Sequence, residues 1–437
     1  MIDWNKVLQP IASEPIDIIL VTYQRSYFLE RVLKEIYQRT FYPYRLIVVD
    51  NASTDDTKTI LKRQEKLGRI RKAVYLPQNV GQCQALNEGF KYVESEYFIT
   101  TQDDLIPPLL RPCWLERLLY LIKKYEPDYG AICMRIQRTR RLEWSESEDL
   151  IDNYKSMPSV FRIQRRDLME QLGDRPFGRL KHWESHVFAE SMKKLKKKFA
   201  MATHLYADHI GFMPENKGYR KGFTEYLTYS KERVKQGEDK PYPDIDQKTN
   251  IPTKMNHPVD TPEFLKRLRR KEEVGWQEGS KHTQQKKLLS KYCKGIGLDI
   301  GCGKIKISPN AIGVDLFPEG DVDVVASGDD LWMFKDNSLD FVVASHSLEH
   351  FPDTKRTLKE WDRVLKPGGV IAFIVPDGEL RPRTILEKSH KVALTKPVLV
   401  QLLKRFLGYR RIVVRNLTEF EGPKIRGCIF CYAEKPK

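Results

Sequence analysis

Between Ser230 and about Gln284 the chain runs through a long stretch, including KQGEDKPYPDIDQKTNIPTKMNHP, that is rich in Pro, Lys, Asp and Glu and lacks apolar periodicity. Such a segment cannot bury enough apolar surface to offset its ordering entropy, so it reads as a linker between two folding units. On both sides short β-rich runs alternate with helical periodicity, the pattern of α/β sheets. At 437 residues the chain is also longer than single cores usually grow. The expected division is 1–229, a charged linker at 230–279, and 280–437.

In the first unit the strand candidates are IDIILV (16–21), LIVV (46–49), AVYL (73–76), YFIT (97–100) and GAICM (130–134). Leu29, Val32, Leu33, Ile36 and Tyr37 share a helix face between the first two. Ser53 and Asp56 form a capping box, which predicts a helix starting just after Asp50. From 140 to 228 the pattern is less regular, and KKLKKKF (193–199) reads as a basic helix, either a solvated face or a docking patch for an anionic membrane or acceptor. The second unit offers GIGLDIGCG (295–303), IGVD (312–315), DFVVAS (340–345), VIAFIVP (370–376), RRIVV (410–414) and CIFCYA (428–433). No convincing helix separates the last two, so they are expected to pair as an antiparallel hairpin at the sheet edge.

Hydrophobic residues at 41% and charged residues at 31% exclude a disordered or fibrous chain. No run approaches the ~18 apolar residues of a spanning helix, and MIDWNKVLQP lacks the features of a signal peptide. Seven scattered cysteines form no disulfide framework, and Cys428 and Cys431 would point to opposite faces of one strand. The expectation is a cytoplasmic protein, with peripheral contact at the cytoplasmic face of a membrane. The net charge of +16 points to anionic partners without choosing among them.

Sugar transfer from a nucleoside diphosphate requires a group to read the base, charge to neutralise the diphosphate, and a base for the acceptor hydroxyl. Asp50 ends one strand, where side chains reach a crevice ligand. Asp103 and Asp104 end another and could hold a hard divalent cation. With Thr22, Tyr23 and Arg25, VVDNASTDDT (48–57), Asn79, Gly81, Asn87 and Gly89 in NVGQCQALNEG, and QDDLIPP (102–108), the first unit resembles family 2 glycosyltransferases of the GT-A fold over about residues 16–215. The resemblance implies a nucleotide-diphospho-sugar transferase fold and an inverting transfer. Thr22, Tyr23, Arg25, Asp50, Asn51, Asn79, Gly81 and Asp103 would then surround the nucleotide sugar, with Asp50 at its base and Asp104, helped by Asp103, on Mg²⁺ or Mn²⁺. It also implies Glu184, in FGRLKHWESHVF, as the general base, the alternative being a helix-end charge, and His209 as a further metal ligand or a packed histidine. Gln102 stands where the first acidic residue of that region is often found, and Leu86 where many relatives carry Arg.

In LDIGCG a strand runs into a glycine turn, and Asp315 ends the next strand, features that suit a ribose-bearing cofactor. The spacing from Asp299 to Asp315 leaves little room for a full helix. With GVD (313–315), SLDFVVASHSLEHF (338–351), LKPGGVIAFIVP (365–376) and the terminal strand pair, the second unit is similar to class I S-adenosylmethionine-dependent methyltransferases, which have a Rossmann-like fold. The similarity places Asp299, Gly301, Gly303, Asp315, Asp330 and His346 at the cofactor, with Asp315 on the ribose and Asp330 near the adenine. His346, Glu349 and His350 follow the fourth strand and could face the acceptor, His350 as its base, with His390 a weaker candidate. The chain is thus expected to add a sugar to a glycan or glycolipid and to methylate a hydroxyl there, with nucleic acid an unlikely partner. The alternatives are a methyltransferase acting on RNA or protein, or one domain serving as an inactive scaffold.

Overall fold

The computed structural model describes residues 3–9, 14–136, 150–152, 159–178, 184–210, 280–316, 321–380, 390–417 and 427–437; the expected linker at 230–279 lies outside them. The first unit contains α1 (Trp4–Val7), β1 (Ile16–Thr22), α2 (Ser26–Arg39), β2 (Tyr44–Asp50), α3 (Thr57–Lys66), β3 (Lys72–Tyr75), α4 (Gln82–Phe90), β4 (Tyr97–Gln102) and β5 (Leu105–Ile106). It continues with α5 (Trp114–Lys124), β6 (Tyr129–Ile136), β7 (Leu150–Asp152), β8 (Arg162–Arg165), α6 (Arg166–Glu170), α7 (Glu184–Lys194) and β9 (Lys198–His209). After the linker come α8 (Ser280–Ser290), β10 (Gly297–Ile300), β11 (Ala311–Asp315), β12 (Val324–Val325) and β13 (Leu339–Ser345). The last elements are α9 (Thr354–Val364), β14 (Leu365–Pro376), α10 (Lys396–Gln401), β15 (Arg410–Asn416) and β16 (Cys428–Glu434).

Among the described residues the first sheet has the order β3-β2-β1-β4-β8-β6-β9-β5, with β7 on β9. β3, β2, β1 and β4 are parallel, and β8 joins β4 antiparallel. Side chains alternate along β1: Ile18 and Leu20 enter one core with α2 and α5, and Ile19 enters the other with α4 and α7. Burial on both faces explains why these strands read as unbroken apolar runs. Gly89 brings α4 close to the sheet, since a Cβ there would lie 2.6 Å from the Ile19 Cγ2.

Two local expectations are corrected. α3 starts at Thr57, later than the capping box implied, because the Ser53 hydroxyl accepts the Gln24 N–H and the Asp55 carboxylate accepts those of Ser26 and Thr57. KKLKKKF is not one helix: α7 ends at Lys194, Lys196 turns at φ 54, and β9 begins at Lys198.

The second sheet has the order β12-β11-β10-β13-β14-β16-β15, parallel except that β16 runs antiparallel to both of its neighbours. The last two strands pair antiparallel as expected, but β16 inserts beside β14 and leaves β15 at the edge. Cys428 and Cys431 enter opposite cores. Residues 301–310, between β10 and β11, form turns with no helix.

The two units touch. Val325 of β12 packs into the core of the first unit, and its N–H donates to the Arg111 carbonyl at 3.2 Å. Asp330 accepts hydrogen bonds from Tyr120 Oη and Lys124 Nζ, both at 2.6 Å, and Trp332 stacks on Tyr120 at 4.3 Å. Val7 of α1, expected within the first unit, is buried in the core of the second, and its carbonyl accepts the Lys335 N–H. No helix among the described residues is long and apolar enough to cross a membrane.

Candidate functional sites

In the first sheet Thr22 is the register partner of Asp50, and Val21 that of Gln102, so the ends of β2, β1 and β4 lie side by side. Asp103 and Asp104 follow β4 directly. Thr22 Oγ1 donates to Asp103 Oδ2 at 2.7 Å, and the Tyr23 N–H also points to that carboxylate. The Arg25 guanidinium lies 3.3 Å from Asp103 Oδ1 and 2.5 Å from Asp104 Oδ2. Burial pushes the Asp103 carboxyl up to about 6 against the pull of Arg25, whereas at Asp104 the charges of His209 and Arg25 outweigh burial and hold it low. His209 Nε2, at the end of β9, stands 3.6 Å from Asp104 Oδ2.

Two buried aspartates distinguish structural from ligand-directed carboxylates. Asp17, at the opposite end of β1, is saturated by Arg45, Arg71 and the N–H groups of Glu94 and Ser95. Asp50 is equally buried, yet only its Oδ1 is used, by the Ser53 N–H; Oδ2 has no hydrogen-bond partner, nor has Asp104 Oδ1. Buried acceptors of this kind are costly unless a ligand completes them. The cluster of Arg25, Asp50, Asp103 and Asp104 therefore fits a divalent cation and a nucleotide.

Asn51 and Asn79, expected at the nucleotide, are joined to each other at the loop before α4. Asn51 Nδ2 donates to Asn79 Oδ1 and its Oδ1 accepts the Val80 N–H, and Asn79 Oδ1 also accepts the Gly81 N–H, so these side-chain amides shape the loop into α4. Gly81, at φ 81, caps that helix. Asn87 donates to the Gly178 carbonyl and accepts the Phe177 N–H, which fixes the chain just before residues 179–183. Glu184 opens α7, and its side chain lies outside the described residues. Leu86, on α4, is fully buried against the sheet.

In the second sheet Gly301 and Gly303 take φ 69 and 58 at the end of β10, and a Cβ on Gly301 would collide with the Ser347 hydroxyl. That hydroxyl donates to the Ile300 carbonyl at 2.8 Å, and the Gly303 N–H donates to Asp315 Oδ2 at 3.0 Å. The bare backbone and the adjacent carboxylate fit a ribose-bearing donor. Asp299 props this turn from beneath through the Ile307 N–H, and burial raises its carboxyl from 3.8 to about 7. Between those values the folded chain keeps a proton that the unfolded chain has lost. This group's contribution therefore makes stability fall as pH rises from about 4 to 7, by up to ~1.4 kcal/mol per pH unit, and level off above. Asp299→Asn is expected to remove that slope, measured as the difference in denaturant midpoint between variant and parent across this range.

The Asp330 carboxylate, expected near the adenine, is engaged by Tyr120 and Lys124 at the junction. His346, at φ 55, contacts Glu349 Oε1 through Nδ1 at 3.3 Å and Gln285 Nε2 through Nε2 at 2.9 Å. Burial favours its neutral ring, but hydrogen bonds to Cys428 and Glu349 prevail and push it up to about 9. Gln285 was missed in the sequence because the linker pattern runs to its neighbour. His350 and His390, far apart in sequence, meet with ring centroids 4.9 Å apart.

Residues 17–180 match the family model for glycosyl transferase family 2, and residues 284–373 match a methyltransferase domain model. The two models thus match separate units, glycosyl transferase family 2 on the first sheet and a methyltransferase domain on the second. Among curated proteins it is 24% identical over 109 residues to an uncharacterized glycosyltransferase of Haemophilus influenzae, covering 25% of this chain and 33% of that one. It is 26% identical over 89 residues to the Bacillus subtilis protein called "Putative teichuronic acid biosynthesis glycosyltransferase TuaG", covering 20% and 35%. The chain thus spans about a third of the length of these two relatives. Solved structures with local likeness include S. aureus TarS in complex with UDP (18% identity, 44% and 59% coverage, TM-score 0.36). Another is the mannosyltransferase PcManGT of Pyrobaculum calidifontis with GDP-Man and Mn²⁺ (19%, 54% and 69%, 0.37). A SAM-dependent methyltransferase of Thermotoga maritima also matches (19%, 40% and 97%, 0.27).

Proposed function

We propose that the chain is a bifunctional enzyme of surface polysaccharide synthesis. Its first domain transfers a sugar, with inversion, from a nucleotide-sugar donor to a glycan or glycolipid, and its second methylates a glycan hydroxyl using S-adenosylmethionine. The observation that carries this reading is the pair of buried, half-partnered carboxylates, Asp50 and Asp104, at the ends of β2 and β4, the two strands that flank β1. Asp50 accepts from the donor's base, and Thr22, Tyr23 and Arg25 hold Asp103 in place beside it. Asp103 and Asp104, with His209 alongside, would hold Mg²⁺ or Mn²⁺, which supplies positive charge to the departing diphosphate. Glu184, at the start of α7, takes the proton of the acceptor hydroxyl.

In the second domain the Gly301–Gly303 turn and Asp315 support the donor site, and His350 takes the acceptor's proton. S-adenosylmethionine supplies an activated methyl group. The exposed Lys193, Lys194, Lys196 and Lys198 support a cytoplasmic protein that touches an anionic membrane surface. Incubating the full chain with a panel of nucleotide sugars, Mn²⁺, methyl-labelled donor and candidate glycans is expected to place sugar and methyl label on the same product. Methyl label found only on protein or RNA would overturn the second half of the proposal, and no sugar transfer from any donor would overturn the first.

A further inference from the structure

We propose that Glu349, His350 and His390 form a binding site for a first-row divalent cation of the Zn²⁺ class in the methyltransferase domain. One ligand atom from each lies within 4.8 Å of the other two. Two imidazoles and a carboxylate form a donor set suited to Zn²⁺, and three protein ligands leave a coordination position open.

The independent observation is Glu349 itself. The residue is 2% exposed, and its Oε2 has no hydrogen-bond partner, while Oε1 is held by His346. An outer group of this kind orients a metal-binding carboxylate and leaves the other oxygen available. The backbone also brings the third ligand into place: the N–H groups of Lys391 and Val392 both donate to the Glu349 carbonyl, at 2.8 and 3.3 Å. Donor atoms around one zinc ion stand roughly 3.4 Å apart, given bonds of about 2.0–2.1 Å. The observed separations reach up to 4.8 Å, and rotation of the two partly exposed imidazoles toward the carboxylate closes the set.

The cluster lies next to Ser347, whose hydroxyl would meet a Cβ on Gly301. A cation there would take an acceptor oxygen as its further ligand and lower that oxygen's pKa. This last step rests on the methyl-transfer function proposed above, whereas cation binding does not.

The test is a titration of the chelator-stripped full chain with Zn²⁺ and with Co²⁺, read by bound metal and by the visible absorption of Co²⁺. One tight equivalent is expected, and it should persist in Asp104→Asn, which impairs the other candidate cation position. His350→Ala and His390→Ala should each weaken it by about 100-fold or more, and the rise in unfolding temperature that Zn²⁺ gives the parent should disappear. Should His390→Ala fail to fold, His350→Gln and Glu349→Gln provide the same comparison. Unchanged affinity and an unchanged Co²⁺ spectrum in the folded variants would overturn the proposal. A chain that binds Zn²⁺ in this manner yet methylates nothing would keep the site and reject the methyl-transfer function.

Discussion

Replacing Asp104 with Asn is expected to lower the rate of sugar transfer by about 10³-fold, with the methyltransferase domain unaffected. The substitution keeps the shape of the side chain and removes one negative charge from a group that is 2% exposed. Oriented charges in a water-poor site are worth roughly 10²–10³ in rate when one is deleted, and Asp104 stands in two such relations, to Arg25 and to the cation position. Folding should suffer little, because Arg25 keeps Asp103 at 3.3 Å and is itself partly exposed. Initial rates with saturating donor, alongside thermal unfolding of variant and parent, provide the check. A folded variant transferring sugar at the parent's rate would remove Asp104 from the site.

Gly301→Val should abolish methyl transfer and leave sugar transfer within about twofold. The position requires φ 69, which a β-branched residue reaches only with strain, and any Cβ would meet the Ser347 hydroxyl that secures the end of β10. The added side chain also fills the space through which a donor would approach the backbone. The readout is a thermal shift with adenosylhomocysteine. At about 100 times its dissociation constant a ligand stabilises the parent by ~2.7 kcal/mol, and the variant should show no such shift. A full shift in the variant would mean that the donor lies elsewhere.

Strand positions were legible because these strands are buried on both faces and appear as continuous apolar runs, IDIILV and DFVVAS among them. β9 was not, because KFAMATHLYADH mixes polar and apolar residues on a strand that several different elements cover. In the first site Asp50, Asp103 and Asp104 stood out as acids at strand ends, a local signal. Asn51 and Asn79 were placed at the nucleotide by resemblance alone, and the geometry uses their amides within the loop. The contacts of Asp330 with α5 and of Val7 with the second core are tertiary, and nothing near either residue in sequence records them. The approach of His390 to His350 is likewise a tertiary fact, set by two N–H groups on one carbonyl.

The junction between the units bears on what severing the chain would do. Val7 and Leu8 pack into the core of the second unit, Val325 packs into that of the first although its neighbours Val324 and Ala326 serve the second, and Asp330 is hydrogen-bonded to two side chains of α5. Each half thus carries a plug that completes its counterpart. A cut anywhere between residues 210 and 280 would yield fragments that remain clasped, like a complemented pair, and neither half purified alone would be spared a greasy scar.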